Sequence, residues 1–81
     1  MSTQPKKPLN VLQKMLDKEV FVRLKSNVEY HGRMINVDIY MNMILDDTKE
    51  FYNGQQTASY GTVIIRGNNV LFVGLKNSTN V

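Results

Sequence analysis

The chain reads as a mainly β protein: a short N-terminal helix followed by a five-stranded, strongly bent antiparallel barrel. Three observations lead there. Apolar residues alternate with polar ones in short runs of strand length, as in Val20, Val22 and Leu24 against Phe21, Arg23 and Lys25. Turn residues punctuate those runs, with Asn53-Gly54 the strongest short hairpin signal available. Gly32 sits inside a long β-rich run, where a glycine marks a bend or bulge, and a strand that bends sharply can serve two faces of a small barrel.

The elements follow in order. Residues 1–7 are polar and basic with no apolar pattern, and are expected to form a flexible tail. Residues 8–76 form the single domain. Pro8 to Leu16 has helical spacing, with Leu9, Leu12, Met15 and Leu16 on one face, and Asn10 followed by Gln13 resembles a capping box. Such a helix is too short to stand alone and must dock. Strand one holds Val20 to Leu24 and turns at Ser26-Asn27. Strand two runs from Val28 to Val37 with its bend at Gly32. Strand three is Met43 to Asp47 with Met43 and Leu45 inward, and the Asn53-Gly54 hairpin lies within Glu50 to Gln56. Thr62 to Ile65 and Val70 to Leu75 are strands four and five. Residues 77–81 are polar and expected to fray.

Composition narrows the function. Eighty-one residues make one domain with a modest core, so support is expected from packing or from oligomerisation. With no cysteine and one histidine, His31, the chain has neither a disulfide nor a thiolate or zinc site, and no metal or cofactor is expected. A net charge of +3 fits a nucleic-acid binder. No apolar run is long enough for a membrane span, and the N-terminal residues lack the hydrophobic stretch of a signal peptide, so a cytoplasmic protein without a membrane partner is expected. Catalysis is not expected: there is no histidine beside a nucleophile and no phosphate-binding glycine loop. The adjacent pair Asp46-Asp47 would point to opposite faces of a strand.

Two inter-strand turns carry the chemistry. Asp38-Ile39-Tyr40-Met41-Asn42 supplies an acid, a ring and an amide; Ile65-Arg66-Gly67-Asn68 supplies a guanidinium, a glycine and a second amide. A flat, uncharged base needs a face to stack on, an amide to read its edge and a cation to cover its other side. Uracil presents O4 as acceptor and N3–H as donor, which one asparagine side chain can match. A free amide would rotate and match cytosine equally well. An ionised Asp38 can only accept, so by taking one N–H of Asn42 it would fix the amide oxygen toward N3–H and select uracil.

At these residues the chain resembles the Sm and Sm-like RNA-binding proteins, most closely the archaeal ones. The resemblance rests on Val22-Arg23-Leu24-Lys25, Gly32-Arg33-Met34 and Asp38-Ile39-Tyr40-Met41-Asn42, followed by Val63-Ile64-Ile65-Arg66-Gly67-Asn68-Asn69-Val70, and covers about Pro8 to Leu75. It implies the Sm fold. It also implies a ring, in the family heptameric, in which strand four of one subunit pairs with strand five of the next. RNA contact is implied at Tyr40, Asn42, Arg66, Gly67 and Asn68, with Asp38 orienting the amide. Lys6, Lys7 and Lys14 correspond to a second RNA surface on the helix face in relatives. Asn27 stands where the family usually has glycine, Tyr40 where it often has histidine, and Asn68 where many relatives have an acid. Arg66-Gly67-Asn68-Asn69 also resembles some eukaryotic subunits of mixed rings. The function implied is binding of single-stranded, uridine-rich RNA by a ring that acts as scaffold or chaperone in RNA processing or turnover. The alternative is an oligomeric protein-interaction scaffold whose RNA site is weak or unused. The three methionines Met34, Met41 and Met43 are expected in the core, and His31 is expected to face solvent on strand two.

Overall fold

A computed structural model describes residues 8–76. Helix α1 spans Pro8–Gln13, followed by strands β1 (Glu19–Leu24), β2 (Val28–Val37), β3 (Met43–Tyr52), β4 (Gln55–Tyr60), β5 (Val63–Ile65) and β6 (Val70–Leu75), with a 3-10 turn at Gly67–Asn69. One antiparallel sheet holds all six strands in the order β4-β3-β2-β1-β6, with β5 paired to β3. The architecture is the mainly β, strongly bent sheet with one short helix that the sequence predicts. The strand expected at Thr62 to Ile65 is the second half of a longer run. Its first half, β4, is wholly polar or small (Gln-Gln-Thr-Ala-Ser-Tyr) and shows no buried residue. An edge strand wet on both faces has no alternating pattern to find. A break at Gly61-Thr62 separates the two halves.

Two bulges in the β2–β3 pairing bend the sheet. Between His31/Lys49 and Arg33/Asp46, β3 carries one residue more than β2, and Asp47 takes the left-handed conformation there (φ 50°). Gly32 faces this bulge. A Cβ on it would lie 2.8 Å from the Asp46 carbonyl oxygen and 3.3 Å from the Leu45 Cβ, so close backbone approach demands glycine. The second bulge places an extra residue of β2 between Met34 and Asn36 and lets both Met34 and Val37 face inward.

The bend wraps β1, β2, β3 and β5 around a core of Val20, Val22, Met34, Val37, Met43, Leu45 and Ile65, capped by Leu12 from α1. Met34 and Met43 are fully buried and Met41 packs against them, as expected. The helix is shorter than its apolar spacing predicts. It begins at Pro8, so Asn10 lies inside it and is not its N-cap, and the stretch after Gln13 is a series of turns. Asp17, at φ 66°, ends those turns; its N–H donates to the Met34 carbonyl at 2.7 Å and the Met34 N–H donates to the Lys18 carbonyl at 3.1 Å. These two bonds strap the helical segment to β2.

The turns behave as their residues dictate. Asn27 (φ 72°) accepts the left-handed conformation at the β1–β2 turn, and Asn53 and Gly54 (φ 53° and 79°) form the β3–β4 hairpin. His31 departs from expectation. Its ring is only 18% exposed, its Nε2 lies 2.9 Å from Glu29, and it stacks on Phe51 at 4.4 Å between centroids. A neighbouring aromatic on β3 and a carboxylate on the same strand cover a side chain that alternation alone sends to solvent. Tyr30, on the other face of β2, donates to Glu50; burial first, then that bond, pushes its phenol up to about 12, so it remains a neutral donor.

Candidate nucleic-acid interface

The loop joining β2 to β3 is closed by its own backbone and by one carboxylate. The Asp38 N–H donates to the Asn42 carbonyl and the Met41 N–H donates to the Asp38 carbonyl, both at 3.0 Å. Met41 completes the turn in the left-handed region (φ 67°) while its side chain reaches back to the core. Asp38 Oδ1 accepts the backbone N–H groups of Tyr40 (2.8 Å) and Asn42 (3.0 Å), and Oδ2 accepts the Asn42 side-chain N–H at 3.1 Å. These contacts lower the Asp38 carboxyl below its ordinary value, the Asn42 amide contributing most.

The second loop docks onto the first. The Gly67 N–H donates to Asn42 Oδ1 at 2.8 Å. A side chain at position 67 would collide with the Tyr40 carbonyl oxygen and lie 2.8 Å from the Met41 carbonyl carbon. Glycine is therefore required here by proximity of the two loops. The Gly67 N–H is thereby committed to Asn42.

Asn42 is thus held from both ends. Its Nδ2 spends one of two hydrogens on Asp38, and its Oδ1 spends one lone pair on Gly67. Rotating the amide would set N–H against N–H and oxygen against carboxylate, so its orientation is determined by the two contacts. One donor and one acceptor remain. Tyr40 stands beside them, 73% exposed, and Arg66 is exposed at the end of β5. Tyr40, Asn42, Arg66, Gly67 and Asn68 line one cleft of about 370 Å³. All five residues singled out in the sequence for base contact meet here, with Asp38 behind them. Lys14 is exposed beyond α1 and does not line the cleft; Lys6 and Lys7 lie outside the described residues. Among the described residues no cluster of histidine, cysteine or carboxylate side chains could hold a metal ion, and no helix is long and apolar enough to cross a membrane.

The pH dependence follows from Asp38. Its folded-state value is depressed, so the ionised form is favoured by folding above the ordinary carboxylate range. That contribution fades as pH falls through the depressed value. We expect the Asn42 amide to stay held by Asp38 from neutral to mildly acidic pH and to be released as pH falls below the ordinary carboxylate range. The Asn42 side-chain amide NMR signals followed across that range check this, and a release already near neutral pH would assign the hold to another group.

A bent barrel that presents a clamped amide, an exposed ring and a guanidinium from two docked loops defines an Sm-type protein. The LSM domain profile matches residues 10–75, and the chain belongs to that family. A putative snRNP Sm-like protein of Thermococcus sibiricus is 48% identical over 67 residues, 83% of this chain and 88% of the relative. The U6 snRNA-associated Sm-like protein LSm6 of Debaryomyces hansenii is 48% identical over 66 residues, 82% of this chain and 78% of the relative. Among solved structures, an Sm protein of Pyrococcus abyssi in complex with a uridine heptamer superposes with a TM-score of 0.83 at 39% identity, covering 88% of this chain and all of that one. A heptameric archaeal Sm protein superposes with a TM-score of 0.77 at 33% identity, covering 83% and 97%.

Proposed function

We propose that this chain is a ring-forming subunit that binds single-stranded, uridine-rich RNA, one uracil per protomer, as a scaffold or chaperone in RNA processing or turnover. The observation that carries this reading is the doubly held Asn42. Its remaining donor and acceptor complement uracil O4 and N3–H and oppose the reversed pattern of cytosine. Tyr40 supplies the stacking face and Arg66 covers the other side of the base. The uridine heptamer bound by the Pyrococcus abyssi relative supports the ligand, and the heptameric archaeal relative supports a ring of seven. Repetition of one weak site around a ring raises affinity for a long strand far above that for a single nucleotide. The chemistry is recognition, with no bond made or broken, and the cytoplasm is the proposed location.

The test is a pair of fluorescence titrations with long oligouridine and oligocytidine. Uridine binding that is clearly tighter supports the reading; equal binding to both that vanishes with salt would reduce it to non-specific electrostatics. Arg66→Ala is expected to weaken oligouridine binding by about tenfold per engaged site, the scale of one lost stacking partner, with ring size unchanged. An unaltered affinity would remove Arg66 from the site.

The 48% identity to the LSm6 relative favours a second reading, membership of a mixed ring. The native mass of the purified chain separates the two. A closed ring of this chain alone supports self-assembly, and a persistent open species that closes only with other subunits supports mixing.

A further inference from the structure

A second cleft repeats the chemical inventory of the first. It has a volume of about 270 Å³ and is lined by Arg23, Asn27, Glu29, Phe51, Asn53 and Gly54. A ring (Phe51), two amides (Asn27 and Asn53), a guanidinium (Arg23) and a carboxylate (Glu29) are the same four kinds of group that Tyr40, Asn42, Asn68, Arg66 and Asp38 bring to the first cleft and the turn behind it. The parts are rigidly supported. Phe51 is backed by His31 at 4.4 Å, and Arg23 lies 5.9 Å from the centre of the Phe72 ring. Glu29 is fully engaged: it accepts from Arg23 Nε at 3.1 Å and lies 2.9 Å from His31 Nε2. The His31 bond, ahead of the Arg23 contacts, holds its carboxyl below the ordinary value despite burial. Its charge is therefore answered within the cleft, and Arg23 keeps further N–H donors for a ligand. The Asn27 and Asn53 side chains make no hydrogen bond within the described residues, so both amides are available.

The two clefts are neighbours. The Lys25 N–H donates to the Asn69 carbonyl at 2.8 Å, which ties the β1–β2 turn to the 3-10 turn. Asn68 lines the first cleft and Asn27 the second. Three chain steps and one hydrogen-bonded step join them, a Cα separation of at most about 17 Å. Exposed Lys25 lies between.

From this juxtaposition we infer that the cleft between the β1–β2 turn and the β3–β4 hairpin is a second nucleotide subsite, which takes a base of the same RNA strand after it leaves the uracil cleft. The base stacks on Phe51, its edge meets the amides of Asn27 and Asn53, and Arg23 and Lys25 receive the phosphates. The inference rests on the RNA-binding reading of the first cleft and extends its footprint from one nucleotide to a run of several per protomer.

The experiment uses the full chain in its assembled state and two probes: uridine monophosphate, whose occupancy of the first cleft is read at the Asn42 side-chain amide by NMR, and a long oligouridine. Phe51→Leu keeps the apolar volume and removes the ring. It is expected to weaken the long strand by about tenfold while leaving the mononucleotide affinity and the ring mass unchanged. Asn27→Gly preserves the left-handed turn, removes one amide and is expected to act in the same direction. Should Phe51→Leu fail to assemble, Asn27→Gly decides. Long-strand binding at wild-type strength in an assembled variant overturns the second subsite and leaves the first intact. Loss of both probes together in these variants would also overturn it, because the effect would then be on the shared fold. A wild-type protein that binds neither probe would sink the RNA-binding reading itself.

Discussion

Gly67→Ala is expected to undo the candidate site from its hidden side. The added methyl has nowhere to go: the Tyr40 carbonyl oxygen and the Met41 backbone occupy its place. The 3-10 turn must retreat, and the Gly67 N–H loses Asn42 Oδ1. We expect a loss of about 2–3 kcal/mol in stability, the range for forced overpacking, and a fall in oligouridine affinity of at least about tenfold as the amide is freed to rotate. Urea denaturation and the uridine titration check the two halves. Ring size should change little, because the ring-forming edges lie elsewhere. Wild-type stability and binding in Gly67→Ala would show that the two loops separate easily and that their docking does not orient Asn42.

Ile64→Lys is expected to have the largest effect on assembly. Ile64 lies on β5, whose sheet partner among the described strands is β3, and it is 74% exposed in the single chain. Leu71 and Phe72 on β6, at the other end of the sheet order, are 54% and 47% exposed. Two apolar edges without internal charges are complementary surfaces for head-to-tail strand addition, and rotation closes such a contact into a ring. A lysine at position 64 leaves the single-chain core untouched, because the side chain already points out of it. In the assembly it would place a charge against the neighbour's apolar edge. Analytical ultracentrifugation should then show a folded species near the chain mass of 9.3 kDa in place of a ring. Val73 is a poorer choice for this test, since it packs on the core beside fully buried Val22 and a charge there would unfold the chain as well. An intact Ile64→Lys ring would move the interface off β5.

The readable parts of this protein are those where one residue type answers one local demand. Alternation at Val20, Val22 and Leu24, the left-handed turns at Asn27 and Asn53-Gly54, and the bend at Gly32 are local requirements, and each is met in the fold. The acid–amide pair of the candidate site was readable for a related reason: an acid four residues before an amide makes chemical sense only if one holds the other, and the Asp38–Asn42 bond exists. Elsewhere the local signal was silent or misleading. β4 is an edge strand with solvent on both faces, so its residues carry no period. Asn10 has capping chemistry but lies within the helix, because the helix begins at Pro8. His31 follows the parity of a solvent-facing position, yet Phe51 and Glu29 close over it.

The order of chemistry along the chain, taken by itself, determined the barrel class, the turns and the acid–amide pair, because each depends on residues close in sequence or on a repeating pattern. Only the tertiary structure decided that the Gly67 amide clamps the far side of Asn42, that Tyr40 and Arg66 share one cleft, and that Lys25 joins that cleft to a second one. Those relations span loops far apart in the chain. They are set by how sharply the bulges bend one sheet, a quantity no single segment encodes.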